Sequence, residues 1–315
     1  MSVYRDQPTA RDATRLRVVT LNFWGLSAPL DRRLELAISQ LRQLDPDVVC
    51  LQEVRPLNGV DGPTTADTLA SALGMHATYH ATMQWSGHTF AGSAAGEEGL
   101  AVLTRISPAA VTYNQLPQSR ASEGRGLLSV FVNVEHGPIW VHTTHLHYRL
   151  DDGLAREAQV LAVDEIVRSC GRDNDSSPQI LCGDFNATPD SDEVRFLRGL
   201  TTLAQDGNRR RTHFQDAWLR LHREPEHGDG PAQGVTWSSD NEHTRPLRSL
   251  DIDRRIDYMF VTSRKRDGRG TVLRCEVVIT EREGDGPDAV CASDHYGVMA
   301  DIQITPTPVT VTPAV

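Results

Sequence analysis

Six short apolar runs, each meeting a carboxylate, an amide or an imidazole at one end, constrain this chain more tightly than any other feature. One is Pro178-Gln179-Ile180-Leu181-Cys182, which enters Gly183-Asp184-Phe185-Asn186-Ala187-Thr188-Pro189. Leu16 to Leu21 stops at Asn22, Asp47 to Leu51 at Gln52-Glu53, and Pro138 to Thr144 at His145. Arg255 to Val261 carries Asp257 near its start, and Ser293-Asp294-His295 precedes the apolar segment Tyr296 to Ala300. Runs of this length and composition read as buried strands. In open α/β sheets ligand sites lie beyond strand ends, so the polar termini mark one candidate site. Asp184 and Asn186, two residues apart on an extended segment, face the same way, and Pro189 prevents the strand from continuing. Asx capping at a turn gives the same Asp-x-Asn spacing, and it is the repetition at six termini that favours chemistry.

Between the runs, Asp31 to Leu44 and Gly153 to Arg168 carry the amphipathic pattern of helices that cover a sheet. The class is therefore α/β. The candidate site residues span Asn22 to His295, and any cut between them would separate groups that must meet, so residues 16–304 read as one catalytic domain. Residues 1–15 are polar and unpatterned, and 305–315 form a Pro/Thr-rich tail; both read as flexible segments. Gly228 to Gly234, Asp267 to Gly270 and Glu281 to Asp288 carry loop signals. Arg209-Arg210-Arg211 reads as a solvated turn, and the Gly/Ala/Ser-rich stretch after Trp85 as a lid or a variable surface loop.

The motifs TLNFWG, CLQEV, GLAVLTR, THLHY, CGDFNATP, RIDYMFV and SDHYGV stand in an order that resembles the endonuclease/exonuclease/phosphatase superfamily, from about Arg17 to Ile304. The resemblance implies a four-layer α/β sandwich, two packed mixed β-sheets flanked by helices, with the site at one edge. It implies that Asn22, Glu53 and Asp294 line a Mg²⁺ site, with Glu53 the principal ligand and Mn²⁺ an alternative ion. Hard-cation chemistry fits such oxygen donors. It further implies that Asp184 activates the attacking water, that Asn186 helps hold that site and the phosphate, and that His145 and His295 donate to phosphate oxygens. Asp257 would orient His295 and favour its protonated form. The pattern His145-Leu146-His147, with His142 upstream, suggests zinc less well, because the other donors are oxygens and no Cys lies at ligand spacing. His147 is placed at the substrate mouth or the solvent face.

Charge narrows the substrate. Asp and Glu number 42 against 32 Lys and Arg, giving −10 at pH 7, which is unlike a protein that grips long nucleic acid through its backbone charge. A Mg²⁺-dependent phosphodiesterase or phosphatase on a small or lipid-like phosphoester leads; an endo- or exonuclease on DNA or RNA is the alternative, and a non-catalytic binding module the third reading. Trp237, Tyr148 and Arg105 are the substrate-binding candidates, with Arg125, Arg149, Arg245, Arg248, Arg254 and Arg255 as further rim arginines and Trp24 and Trp85 as further stacking surfaces. No stretch is long and apolar enough to span a bilayer or form a signal core, and five cysteines do not suit a disulfide framework. The chain reads as cytoplasmic, as a processed secreted chain also would.

Overall fold

Strand alternation sorts the apolar side chains into three cores, and the three cores define four layers. The computed structural model describes residues 15–85, 95–118, 124–134, 137–171, 177–204, 207, 211–222, 234–245 and 253–305. In chain order the elements are β1 (Arg15–Asn22), α1 (Leu30–Leu44), β2 (Val48–Val54), α2 (Thr65–Leu73), β3 (His76–Trp85), β4 (Gly96–Thr104), β5 (Ala110–Gln115), β6 (Gly126–Val134), β7 (Gly137–His145), α3 (Gly153–Gly171), β8 (Gln179–Asp184), α4 (Asp192–Leu197), β9 (Phe214–Asp216), α5 (Ala217–Leu221), β10 (Asp257–Thr262), β11 (Val272–Val278), β12 (Arg282–Glu283), β13 (Val290–Cys291) and β14 (Gly297–Gln303). Two six-stranded sheets result, ordered β11-β14-β1-β2-β4-β3 and β5-β6-β7-β8-β10-β9, with β12 and β13 forming a small ladder of their own. Both large sheets are mixed: β1 runs parallel to β2 and β7 to β8, and the remaining neighbours are antiparallel.

Val18, Cys50 and Val102 of the first sheet meet Val130, Val141 and Cys182 of the second in the central core. The alternate residues Val19, Leu21, Val49 and Leu51 turn outward onto Leu34, Ala37 and Leu41 of α1 and Leu69 of α2. On the far side Leu127, Leu181 and Phe260 pack on Val160, Val163 and Val167 of α3 and Val194 of α4. The fold is the four-layer α/β sandwich. The central strands of both sheets are covered on both faces, which is why they read as nearly continuous apolar runs.

Several segments singled out in the sequence lie outside the described residues: residues 1–14, 306–315, the stretch 86–94 after Trp85, Arg209, Arg210, Arg248 and most of 228–234. No helix among the described residues is long and apolar enough to cross a membrane. The Glu281 to Asp288 loop contains β12 and a short 3₁₀ turn, Gly286–Asp288, a finer structure than its Gly/Asp composition suggests.

One glycine is dictated by sheet closeness. Gly183 has φ +138°, and a Cβ there would lie 2.0 Å from the Thr144 carbonyl oxygen on neighbouring β7. Gly183→Ala is expected to lower stability by roughly 2 kcal/mol or more through backbone strain and overpacking, read as a lower urea midpoint; an unchanged midpoint would contradict the tight β7–β8 approach.

Candidate active site

The candidate site sits where both sheets end. Asn22 is the last residue of β1, His145 the last of β7 and Asp184 the last of β8. Parallel pairing sets His145 beside Asp184, and antiparallel pairing sets Asp257, the first residue of β10, beside Asp184 from the other side. Asp294 and His295 lie just before β14, whose antiparallel register with β1 brings them to the Asn22 end. Glu53 arrives differently from the strand-end expectation. It lies within β2, where the register with β4 shifts between Leu51 and Val54, and its φ is +54°. Such a bulge re-aims a side chain at the cost of backbone strain.

The side chains form one connected network. Asn22 Nδ2 donates to Glu53 Oε1 at 3.0 Å and to Asp184 Oδ2 at 3.1 Å, while its Oδ1 accepts from the Trp24 N–H at 3.0 Å. Asp184 Oδ1 accepts from the Asn186 N–H at 2.8 Å. Two imidazoles approach the other oxygen, His145 Nε2 at 3.5 Å and His295 Nε2 at 3.8 Å from Asp184 Oδ2. His295 Nδ1 donates to Asp257 Oδ2 at 2.8 Å. Behind them Thr236 Oγ1 accepts from the Asp257 N–H, and Ser293 Oγ donates to the Asn22 carbonyl at 2.6 Å while accepting from the His295 N–H at 3.2 Å.

Burial and crowding set the charges. Burial, with Asp257 nearby, pushes the Asp184 carboxyl up to about 7, against the pull of His295 and its hydrogen-bond donors. Asp294 rises to about 6, from burial and then from Glu53, despite His295 and Arg33. Glu98, on β4, rises to about 8 through burial and Glu53. His295 is desolvated, which alone lowers its pKa, but Asp257, Asp294 and Asp184 outweigh that and hold it well above the usual imidazole value. His145 falls well below it through burial, Arg125 and His295. One imidazole is therefore cationic and its neighbour neutral, with a carboxylate poised near neutrality between them.

The remaining sequence expectations divide. Asn186 does not continue an extended segment: its φ is +49°, its N–H caps Asp184 and its Nδ2 donates to the Leu146 carbonyl, so the Asx turn and the site are the same structure. Tyr148 is exposed just beyond β7, and half-buried Trp237 adjoins Thr236 with the Arg254 guanidinium 5.2 Å from its ring centroid. Arg105 is a correction. It follows Thr104, which pairs with Val48 at the start of β2, so it lies at the opposite end of the sheet from Glu53; there it pairs with Asp45 and donates to the Pro46 carbonyl. His147 is a second correction, being 1 % exposed and 3.3 Å from Asp152 rather than at a mouth or surface. His142 spends both ring nitrogens on Ser129 and Gln179, which leaves none for zinc.

Arg33 was not legible as part of this region. It sits in an amphipathic helix where an arginine reads as solvated, yet it is fully buried and donates to the carbonyls of Phe23, Ser27 and Ala292. Thr236, Ser293 and Gln52 were likewise missed, because a buried hydroxyl or amide has no spacing signature. Gln52 bridges the sheets, donating to Thr20 Oγ1 at 3.1 Å and Thr143 Oγ1 at 2.8 Å.

Two groups of donor atoms bear on a divalent cation. Asp184, Asp257 and His295 have ligand atoms within 4.8 Å of one another. Two of those atoms are already joined in the His295–Asp257 hydrogen bond, and a cationic imidazole does not ligate. Asp294 instead has its carboxyl raised by burial and by the neighbouring Glu53, and a cation between two such oxygen donors relieves that crowding.

A family model described as Endonuclease/Exonuclease/phosphatase family matches residues 19–295. The chain belongs to this family of metal-dependent hydrolases of phosphoester bonds. Among solved structures, the human Nocturnin catalytic domain with bound sulfate is 18 % identical, with TM-score 0.66, over 93 % of this chain and 94 % of that one. A family protein from Beutenbergia cavernae is 25 % identical (TM-score 0.65; 94 % and 73 % covered), and D. rerio TDP2 complexed with single strand DNA product is 20 % identical (0.65; 92 % and 99 %). Comparison with curated proteins finds no sequence match.

The shifted groups predict how stability follows pH without added metal. Depressed His142 and His145 are destabilising when they must charge, so their contribution grows with pH but is complete by about pH 6.5. Asp184, Glu98 and His295 have raised folded-state values, so the stability they contribute at low pH is lost as pH rises through about 7 for Asp184, about 8 for Glu98 and well above the free imidazole value for His295. In EDTA the unfolding free energy is expected to fall between about pH 6.5 and 8, and Glu98→Gln to flatten that fall; a rising profile would contradict the assignment.

Proposed function

We propose that the chain is a Mg²⁺-dependent phosphodiesterase or phosphatase on a small or lipid-like phosphoester, with Mn²⁺ as an alternative ion and residues 16–304 acting as one catalytic unit. The observation that carries this reading is Asp184: a buried carboxylate poised at about 7, held by Asn22 and Asn186 and faced by two imidazoles of opposite charge state. A base of that strength suits proton removal from water at neutral pH, worth ~10²- to 10⁴-fold in rate. The ester is then cleaved by in-line attack, with no covalent intermediate.

Each neighbour has a task. Cationic His295 turns Nε2 toward the reacting phosphoryl oxygens, and Asp257 keeps it protonated and oriented. Neutral His145 supplies a further N–H beside Asp184. Asn186 holds Asp184 through its backbone N–H. Glu53 and Asp294 would hold the cation, with Asn22 fixing Glu53 against Asp184. When bound, Mg²⁺ neutralises charge on the phosphoryl and leaving oxygens.

The net charge of −10 favours a small substrate over long nucleic acid. The nuclease reading draws on the fold likeness to TDP2 complexed with single strand DNA product. Trp237 and Tyr148 are proposed to contact the substrate's organic portion. All five cysteines are free, which supports the cytoplasm as the compartment.

Hydrolysis of bis-p-nitrophenyl phosphate, p-nitrophenyl phosphate, plasmid and oligonucleotide, each with Mg²⁺ and with EDTA, separates the readings. Metal-dependent turnover confined to the small esters supports the proposal, whereas EDTA-sensitive cleavage of DNA would replace it with the nuclease. Asp184→Ala is expected to lower kcat by about 10³-fold, and a variant matching wild type would remove Asp184 from the chemistry. Mg²⁺ is also expected to raise the Tm of wild type at pH 8, and Glu53→Gln with Asp294→Asn to abolish that rise.

A further inference from the structure

Asp294 and His295 stand on a segment that runs between β13 and β14, and side chains hold its leading carbonyls. His243 Nε2 donates to the Cys291 carbonyl at 3.0 Å, Arg33 Nε to that of Ala292 at 3.1 Å and Asn241 Nδ2 to that of Ser293 at 2.8 Å. Two of these three donors come from the loop 236–245, which also carries Trp237 and is anchored by the pairing of Trp237 with Arg254 just before β10. The same loop reaches both members of the His295–Asp257 pair through the backbone. The Thr236 carbonyl accepts from the Tyr296 N–H at 2.7 Å, and Thr236 Oγ1 accepts from the Asp257 N–H at 3.1 Å.

Asn241 is the joint of this arrangement. It is fully buried, and the two ends of its amide have different tasks. Oδ1 accepts from the His243 N–H at 3.0 Å, which closes the loop's own turn, while Nδ2 leaves the loop for Ser293. The Ser293 carbonyl shares one planar peptide unit with the Asp294 N–H, so holding the carbonyl fixes the plane from which Asp294 departs. Ser293 passes the constraint on: its Oγ donates to the Asn22 carbonyl and accepts from the His295 N–H. Ser293 is itself buried, and a buried carbonyl that loses its donor is costly, so the peptide keeps this orientation while the amide is present.

We propose that Asn241 is a positioning residue for the hydrolytic centre: by holding the Ser293–Asp294 peptide plane it fixes where Asp294 and His295 point, and it couples them to the loop that carries Trp237. The assignment rests on the reading of this site as a phosphoester hydrolase. Asn241 needs no contact with the substrate in this role. Its effect falls on the alignment of groups that act in the transition state, where a small displacement costs rate more than binding.

Two variants test it. Asn241→Thr keeps nearly the same volume and a hydroxyl acceptor for the turn but removes the donor to Ser293; Asn241→Ser stands in if the threonine variant does not fold. Thr244→Val is the control, since Thr244 Oγ1 donates to the Ser238 and Asn241 carbonyls inside the loop and leaves the Ser293 contact alone. With Mg²⁺ and bis-p-nitrophenyl phosphate, Asn241→Thr is expected to lower kcat by about 10- to 10²-fold with KM within about twofold of wild type. By NMR in metal-free protein, the His295 and Tyr296 amides are expected to exchange at least about tenfold faster in that variant. Thr244→Val should stay within about twofold of wild type in both readouts. An unchanged kcat, a defect carried by KM alone, unchanged exchange, or a control that reproduces both effects overturns the proposal. If wild type hydrolyses no ester but exchange still rises in Asn241→Thr and not in Thr244→Val, the clamp on Ser293 stands and the hydrolase reading fails.

Discussion

The Asn22 amide is the tie on which the site depends. It is the last residue of a strand in one sheet, and through a single NH₂ group it holds Glu53 in its own sheet and Asp184 in the other. Two apolar sheet faces packed together have no intrinsic reason to align their polar ends to within a hydrogen bond. Asn22 across the top and Gln52 just beneath it, reaching Thr143 of the second sheet, provide that alignment. Because both are buried, misregister would leave their donors unmet, a penalty of about 1–3 kcal/mol for each group.

Around that tie the fold concentrates charge where water is scarce. Arg33 rises from α1 to knit the loop after β1 to the segment before β14, stacking within 5.0 Å of Phe23 and 4.9 Å of Trp24. Burial lowers its pKa only to about 10, so it remains a cation behind Asp294 and Glu53. Even so, Asp184 and Asp294 keep raised proton affinities, which means the built-in cations under-compensate the carboxylates. Under the proposed function, that imbalance is what a divalent ion would relieve and what would let Asp184 act as a base near pH 7. Stability is given up locally for reactivity, as the positive φ angles of Trp24, Glu53 and Asn186 also indicate.

Much of this was legible in the residues. The strands at Leu16, Asp47, Pro138, Pro178 and Arg255 and the helices from Asp31 and Gly153 emerge with boundaries shifted by a few residues, because double-sided burial writes an apolar run and amphipathicity writes a period of 3.6. Helix α2 went unread although Thr64 and Asp67 form a reciprocal capping box, since its nine residues are too few for a helical period to stand out from a short apolar run. The strand-end rule placed Asn22, His145, Asp184 and Asp257 at strand ends, and the structure sets those ends side by side. It placed Glu53 and Asn186 with that cluster but missed how they reach it, Glu53 on a bulge and Asn186 in a left-handed turn, because neither conformation is written in side-chain spacing. Arg105 was misplaced for a related reason: in an antiparallel strand the end that follows the apolar run is the wrong end of the sheet.

The central claim is that buried carboxylates hold His295 as a cation while Asp184 beside it remains a base. ¹⁵N NMR of the His295 ring in metal-free protein, titrated from pH 5 to 9, tests it most directly. Both ring nitrogens are expected to stay protonated well above the free imidazole value of ~6.5, and Asp257→Asn to bring the transition down toward it. A wild-type His295 that titrates near 6.5 would contradict the account, since the Asp257 contact and the surrounding carboxylates would then carry no weight in setting its charge.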